Sequence, residues 1–306
     1  MPQILAEAEK GHGDGGWQYW KGGEGLRRKI FNIAVAFLFL VGMGILCYPV
    51  VSDWWNQRQQ DKISDGYEQT VGGKDPAELE QMRKKAEEYN ENLLKDEIII
   101  DPFDQVKEKK VDGDYENTLD IDGNGVMGIV EIPEIHVKLP IYHGTSEEVL
   151  QKAIGHLEQT SFPVGGLGTH AVISGHRGLP SAKLFTDLDQ VEKGDVFYLH
   201  VLEETLAYQV DQIRVVEPNQ LEDLAIHAGE DHVTLVTCTP YGVNSHRLLV
   251  RGTRIPYEEA KEKENSTVKR EETMDWGPYL VLIPVVAVCI TLWLLWRRKK
   301  RKDAGR

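Results

Sequence analysis

Two long apolar runs constrain this chain more than any other feature of its sequence. The first extends from about Ile30 to Val51 and the second from about Tyr279 to Trp296. Each is close to the ~20 residues that a helix needs to cross the hydrocarbon core of a bilayer. Both runs are therefore predicted to be transmembrane helices, and the chain between them is predicted to form a separate domain.

The charges beside the two runs predict their orientation. Arg27, Arg28 and Lys29 precede the first run, and the basic block 297–302 follows the second. Because Lys and Arg concentrate on the cytoplasmic side of membrane helices, both termini are expected in the cytoplasm and the intervening domain outside it. A cleaved signal peptide is the alternative for the first run. That run is, however, longer than an ordinary signal core, and no small-residue cleavage pattern closes it.

A helical segment is predicted to follow the first run. The stretch DPAELEQMRKKAEEYNENLLK, which begins at Asp75, is rich in helix-forming residues. Asp75 suits the N-cap position and Pro76 the first helical position. Since its apolar positions are sparse, the helix is predicted to be a stalk that packs only lightly, on the domain or on lipid headgroups.

From Gly125 onward the sequence changes to short apolar runs separated by Gly, Pro and Asp. These runs are MGIVEIP, VKLPIYHG, HAVISG, DVFYLHVL, LAYQVDQIRVVEP, HVTLVTC and HRLLVRGTRI. Strands of this length, with brief helices expected only near 147–154 and 182–188, are typical of an all-β fold. A closed or nearly closed barrel is favoured over a parallel α/β sheet.

Charge and cysteine content limit what this domain does. A formal net charge of -14 argues against nucleic-acid binding, which needs clustered Lys and Arg on the folded surface. Of the three cysteines, Cys47 and Cys289 lie in the apolar runs, where Cys behaves as a small hydrophobe. The outer domain then contains Cys238 as its single thiol and cannot close an internal disulfide. Cys238 therefore indicates chemistry rather than a structural bridge.

The surroundings of Cys238 are those of a reactive thiol. It ends the strand-like run Val233–Thr237, and strand ends present side chains to solvent. The chain re-enters a strand at His246–Val250, and pairing of the two runs as a hairpin would bring Arg247 beside Cys238. A guanidinium there favours the thiolate and offers fixed donors to an oxyanion.

A cysteine nucleophile also needs a proton donor, and ten histidines compete for that role. His176 is the leading candidate, because its segment ISGHRG lies just beyond another strand end and has glycines that permit close approach of other backbone. His246 would point to the opposite sheet face from Arg247. His143 and His232 have weaker settings, and local context alone leaves the choice open.

The run TLVTCTPYGVNSHRLLVRG resembles the signature of sortases, the surface transpeptidases of Gram-positive bacteria. The segment AVISGHRGLPSAKLFTDL is similar to the histidine segment of that family, and the likeness covers roughly Met127 to Ile255. The resemblance implies that Cys238 is the nucleophile, His176 the catalytic histidine and Arg247 the transition-state arginine. It also implies an eight-stranded sortase-type β-barrel that uses no cofactor.

Three features resemble class C, the sortases that polymerise pilins: TCTPYG, the second apolar run, and Asp101-Pro102-Phe103. That class carries a flexible lid with an Asp-Pro-aromatic motif, so Asp101, Pro102 and Phe103 are expected to cover the active site at rest. The implied reaction cleaves an LPxTG-like sorting signal through a thioacyl-enzyme and joins the product to a pilin lysine by an isopeptide bond. A sortase that anchors surface proteins to peptidoglycan and an inactive membrane-tethered scaffold or adhesin are the alternatives.

One motif has the spacing of a metal site. Asp120, Asp122, Asn124 and Glu131 fit the ligand positions of an EF-hand calcium loop. An EF-hand needs flanking helices, whereas Val126–Ile132 is predicted to be a strand. We therefore expect a Gly/Asp-rich turn there and no metal ligands.

These predictions divide the chain into successive parts. They are a cytoplasmic tail 1–29, a transmembrane helix 30–51, a helical stalk and lid region 52–124, a catalytic barrel 125–258, a linker 259–277, a transmembrane helix 278–296 and a basic cytoplasmic tail 297–306. The expected partners are the membrane, pilin or surface-protein substrates with a sorting signal, and an acceptor lysine.

Overall fold

The computed structural model describes residues 16–93, 113–267 and 297. The chain divides into one unit that ends at Tyr48 and a second that begins at Pro49. The predicted second membrane helix and the predicted lid residues, Asp101 to Phe103, lie outside the described residues.

Helix α1 (Gly16–Gly73) contains the first apolar run. Its part from Ile30 onward includes a stretch that is long and apolar enough to cross a membrane, and the side chains of that stretch are not buried in a core. A helix that exposes apolar side chains all round suits lipid rather than water. This finding agrees with the predicted membrane anchor at the N-terminal end.

Helix α2 (Pro76–Leu93) begins where the sequence predicts. The carboxylate Oδ1 of Asp75 accepts a hydrogen bond from Ala77 N at 2.9 Å, as an N-cap should. The prediction of light packing is wrong, because Leu79 and Ala86 are buried in the main core and Asn90 is buried as well. A few well-placed side chains attach the helix even though its apolar positions are sparse.

The eight strands of the described outer domain close into a barrel, as predicted. They are β1 (Val126–Ile132), β2 (Val137–His143), β3 (Ile154–His156), β4 (Thr169–Gly175), β5 (Val196–Val201), β6 (Glu204–Val216), β7 (Asp231–Thr239) and β8 (His246–Ile255). Their order around the barrel is β1-β2-β3-β4-β7-β8-β6-β5. Neighbours are antiparallel except for β2 with β3 and β4 with β7, which run parallel.

Short helices flank and join the strands. They are α3 (Gly113–Asn117), α4 (Glu147–Leu150) and α5 (Tyr257–Thr267). The helix predicted near 147–154 is therefore shorter than expected, and α5 occupies the first part of the predicted linker. The helix predicted at 182–188 is wrong, since this segment forms turns. One physical reason is that Leu184 has a φ of 40°, which lies outside the right-handed helical region.

Alternation along the strands separates the two faces of the barrel wall. Ile173 of β4, Leu235 of β7 and Val250 of β8 belong to the main core, which includes the barrel interior. Residues of the other face form a smaller group, here called the outer cluster: Leu157, Val172, Val216, Leu224, Val236 and Leu249. The outer cluster therefore marks the outside of the wall that β4, β7, β8 and β6 form.

The turn predicted before β1 is confirmed. Asp120 Oδ1 accepts from Gly125 N at 3.0 Å, and Asn124 Oδ1 accepts from Val126 N at 2.9 Å. Glu131 lies within β1, where a hydrogen bond with His200 at 2.8 Å lowers the pKa of its carboxyl. Asp120, Asn124 and Glu131, three of the four residues that fit an EF-hand pattern in the sequence, thus have other partners in the fold.

Candidate active site

The structure places Cys238 and Arg247 side by side. Cys238 of β7 and Arg247 of β8 are register partners in an antiparallel pair, as the hairpin prediction requires. The preceding partners on the same face are Val236 and Leu249, both of the outer cluster. By strand alternation the thiol and the guanidinium therefore belong to the outer face of the barrel wall.

The burial of this pair differs from the prediction. Cys238 is only 6% exposed and Arg247 only 8% exposed, whereas a strand-end thiol was expected to face solvent. Strands β4 and β8 lie on either side of β7, and strand alternation puts the thiol on the outer face of the wall. A substrate must therefore reach the thiol from the outer face.

The Arg247 side chain is fixed by the connection between β7 and β8. Its Nη1 donates to the carbonyl oxygens of Asn244 and His246, each at 3.3 Å. A guanidinium remains charged at any ordinary pH and presents its donors in a planar fork. The arrangement supplies a fixed positive charge next to the position of Cys238.

His176 follows the end of β4, which runs parallel to β7. The ladder between these strands extends to Ser174 and Val236, and Thr237 Oγ1 then donates to Gly175 O at 2.7 Å. Parallel strands end at the same edge of a sheet. Continuing the register by two residues on each strand therefore puts His176 opposite Cys238. The structure thus brings the ends that carry all three predicted residues to one edge of the wall.

Gly175 is required for this arrangement. A Cβ atom at this position would lie 2.8 Å from Ile154 Cγ2 and 2.8 Å from Phe185 Cδ2. Phe185 N also donates to His176 O at 3.2 Å, which fixes the backbone of the histidine. The glycine that the sequence places before His176 therefore allows close packing behind the site.

Burial and charge act on His176 in opposite directions. Partial burial lowers the pKa of its imidazole, and the carboxylate of Glu147, at the start of α4, opposes that shift. The net direction is downward. At neutral pH the imidazole is therefore mostly uncharged.

The competing histidines have structural settings. His232 lies near the start of β7, at the opposite end of the strand from Cys238. His143 is within 2.7 Å of Thr118 O through Nε2. His246 lies next to Ser245, whose Oγ is 2.8 Å from its Nδ1.

Comparison with known proteins decides the family. The sortase-domain profile matches residues 130–255. Sortase C of Streptococcus pneumoniae is 52% identical, with a TM-score of 0.59, and the match covers 64% of this chain and 97% of that one. The chain belongs to the sortase family.

Two further relatives refine this result. Sortase C1 of Streptococcus agalactiae, solved in complex with MTSET, is 49% identical with a TM-score of 0.59, over 63% of this chain and 96% of that one. Sortase A of Bacillus anthracis is 26% identical over 226 residues, which are 74% of this chain and 95% of the relative. The solved relatives are class C sortases, and this sortase is of that class. Sortases are cysteine transpeptidases that act on surface proteins bearing a sorting signal, so the chain is an enzyme of this kind.

Sequence reasoning missed three residues that lie beside the site of this sortase. They are Glu147, whose charge acts on His176, Thr237, which bonds to Gly175, and Arg177, whose contacts are described below. Arg177 and Thr237 adjoin the predicted catalytic residues in sequence. Strand alternation and the parallel β4–β7 pairing were the signals needed to find them, and the second is not visible in local sequence.

Proposed function

We propose that this sortase joins pilin subunits, cleaving an LPxTG-like sorting signal and transferring the acyl group to a lysine of a second pilin. The observation that carries the proposal is the register pairing of Cys238 with Arg247, with His176 at the end of the adjoining parallel strand. Pilin as the substrate is supported by the identity to Streptococcus pneumoniae Sortase C, whose structure is described as informing pilin substrate specificity.

In the proposed acylation the Cys238 thiolate attacks the carbonyl carbon of the threonine in the sorting signal. The tetrahedral intermediate collapses as the C–N bond to glycine breaks, and the His176 imidazolium gives its proton to the leaving amine. The product is a thioester between Cys238 and the threonine. The acceptor lysine amine then attacks the thioester and loses a proton to His176, and the thiolate leaves as the isopeptide bond forms.

Arg247 is proposed to stabilise charge in both steps. Its guanidinium favours the thiolate and donates to the oxyanion of each tetrahedral intermediate. Because it is nearly buried and held by two backbone carbonyls, it needs little reorganisation as charge develops. Its electrostatic effect is stronger there than in water.

The reactive form of the enzyme pairs a thiolate with an imidazolium. An ordinary thiol has a pKa of ~8.5, above that of an ordinary imidazole, and the pKa of His176 is lowered further by burial. The lowered pKa of His176 therefore reduces the fraction of the enzyme in which an imidazolium pairs with a thiolate. The rate then depends directly on how far the environment raises or lowers the proton affinity of His176.

Replacing Cys238 tests the central assignment. Cys238→Ala should abolish cleavage of a fluorogenic LPxTG-like peptide and formation of the acyl-enzyme seen by mass spectrometry, because no thioester can form. Cys47→Ala is the matched control, since Cys47 lies in the apolar part of α1 and should leave both signals unchanged. Cleavage by the Cys238→Ala variant at the wild-type rate would refute the nucleophile assignment.

The acceptor separates the proposed function from its alternatives. Offered both a pilin and a peptidoglycan precursor amine, the enzyme should form lysine-linked pilin polymers. Products carrying only the peptidoglycan amine would identify an anchoring sortase. Failure to form any acyl-enzyme would indicate a scaffold or adhesin.

Membrane topology and the lid complete the proposal. The apolar part of α1 supports attachment at the N-terminal end. The second membrane helix at 278–296, the cytoplasmic location of both termini, and the lid formed by Asp101, Pro102 and Phe103 stay predictions from sequence. Such a lid would exclude water and wrong acceptors until a sorting signal displaces it.

A further inference from the structure

We infer that Arg177 is a positioning residue for proton transfer between His176 and Cys238. The inference rests on the proposed function, because it concerns the spacing of the two groups that would exchange the proton. Arg177 follows His176 directly, and its side chain reaches across to the segment that follows Cys238.

The β4–β7 ladder ends before it reaches the site. Its last partners are Ser174 and Val236, so no strand pairing sets the separation of the two residues beyond them. On the near side of the site, Thr237 Oγ1 donates to Gly175 O at 2.7 Å. This contact joins the residue before Cys238 to the residue before His176.

Arg177 makes the corresponding contact on the far side. Its Nη1 donates to Thr239 Oγ1 at 3.4 Å, joining the residue after His176 to the residue after Cys238. Its Nη2 forms an ion pair with Asp189 Oδ2, which holds the guanidinium from the other direction. His176 and Cys238 therefore lie between two bridges, each of which links the same pair of segments.

The surroundings of Arg177 restrict its movement. Its side chain is only 10% exposed, and its guanidinium carbon lies 5.8 Å from the centre of the Tyr241 ring. Gly178, at a φ of 76°, lets that ring approach, since a Cβ there would lie 3.0 Å from Tyr241 Cε2. The loop after His176 and the loop after Cys238 thus pack together through this side chain.

The bridge matters because proton transfer is sensitive to distance. A shift of ~1 Å in the relative position of reacting groups can lower a rate by roughly 100-fold. Without the Arg177 bridge, the Thr237 contact alone remains of the two bridges that fix His176 relative to Cys238. The acylation step should therefore slow while peptide binding persists.

The variants Arg177→Gln and Thr239→Val test this inference in the full chain. Each should lower kcat for a fluorogenic LPxTG-like peptide by roughly 10- to 100-fold, with KM changed less than about twofold. The double variant should lose little more than the worse single variant, because both changes remove the same bridge. Arg177→Lys should recover only part of kcat, since an ammonium keeps the charge for Asp189 but lacks the planar fork.

An ion pair elsewhere on the barrel provides the control. Arg251 donates to Asp211 through Nε at 3.1 Å and Nη2 at 2.6 Å, and its side chain is 19% exposed. Arg251→Gln should therefore lower stability to a similar degree as Arg177→Gln without the loss of kcat.

Several results would overturn the inference. The Nε of Arg177 is buried and lacks a hydrogen-bond partner within the described residues, so direct contact with substrate is the competing role. A rise in KM with unchanged kcat would assign Arg177 to substrate binding, and equal kcat losses in the Arg177 and Arg251 variants would make the effect one of stability. If Cys238→Ala stays active in the same assay, the proposed function fails; if it is inactive while Arg177→Gln has wild-type kcat, only the bridge fails.

Discussion

At the scale of single residues, the imidazole of His176 is subject to two opposing influences. Burial lowers its pKa, and the carboxylate of Glu147 raises it. When the histidine pKa lies below the thiol pKa, the acid limb of the rate profile reports the histidine, and the height of the plateau follows the difference between the two. The profile therefore measures the environment of His176 directly.

Replacing Glu147 with glutamine should change that profile in two ways. Without the opposing carboxylate the pKa of His176 falls further, so the acid limb of kcat/KM moves to lower pH and the plateau becomes lower. Glu148→Gln is the matched control, because Glu148 is its exposed neighbour and pairs with Lys152. Identical acid limbs in the two variants would show that Glu147 does not act on the histidine.

The pairing of Cys238 with Arg247 could be predicted from sequence because a short connection joins their strands. Their burial could not be predicted, since it depends on neighbours that come from β4 and β6, distant in the chain. His176 could be ranked first but not placed. Its position follows from the parallel β4–β7 pairing, which no local pattern encodes.

At the scale of secondary-structure elements, α2 is attached through a polar side chain. Asn90 Nδ2 donates to Phe162 O at 3.1 Å, and its Oδ1 accepts from Phe162 N at 2.7 Å. Both bonds are buried, and they satisfy a backbone segment of the loop before β4. Sequence periodicity missed this attachment because it counts apolar positions, and Asn90 is polar.

Asn90→Ala should lower the free energy of unfolding by about 1–3 kcal/mol, because it leaves the buried amide and carbonyl of Phe162 without partners. Urea unfolding of the full chain in detergent, followed by near-UV circular dichroism of the buried tyrosines, measures the change. Glu91→Ala, at the exposed neighbouring position, should change it by less than about 0.5 kcal/mol. Equal effects of the two substitutions would contradict the role of Asn90.

At the scale of the whole molecule, two buried histidines make the fold sensitive to acid. Nε2 of His156 lies 2.8 Å from Ser161 O, and Nδ1 of His170 lies 2.9 Å from Ala225 O, so each ring donates to a carbonyl through that nitrogen. The other ring nitrogen contacts a hydroxyl, of Tyr115 in one case and of Thr234 in the other. Burial lowers the pKa of His156 to about 3 and that of His170 to about 4. The unfolded chain, with ordinary histidine pKa values, therefore binds protons between pH 6.5 and pH 4 that the folded chain does not.

The free energy of unfolding should consequently be highest above pH 7, with respect to these two histidines, and should fall as the pH drops below about 6.5. Each histidine contributes a slope of up to about 1.4 kcal/mol per pH unit. Urea unfolding measured between pH 5 and pH 7 gives the slope of the free energy of unfolding against pH. His170→Gln should reduce that slope by the contribution of one histidine. His136→Asn, at an exposed position, should leave the slope as it is, and an unchanged slope in the His170 variant would disprove the assignment.

The order of the strands has a consequence for export. β8 is the last strand of the barrel in sequence, it is bonded to both β7 and β6, and it carries Arg247. For a chain delivered across the membrane from its N-terminal side, Cys238 emerges while the wall still has a gap where β8 belongs. Cys238 can pair with Arg247 only after the whole barrel sequence has been translocated. In the proposed topology, the complete site therefore first exists on the outer side of the membrane.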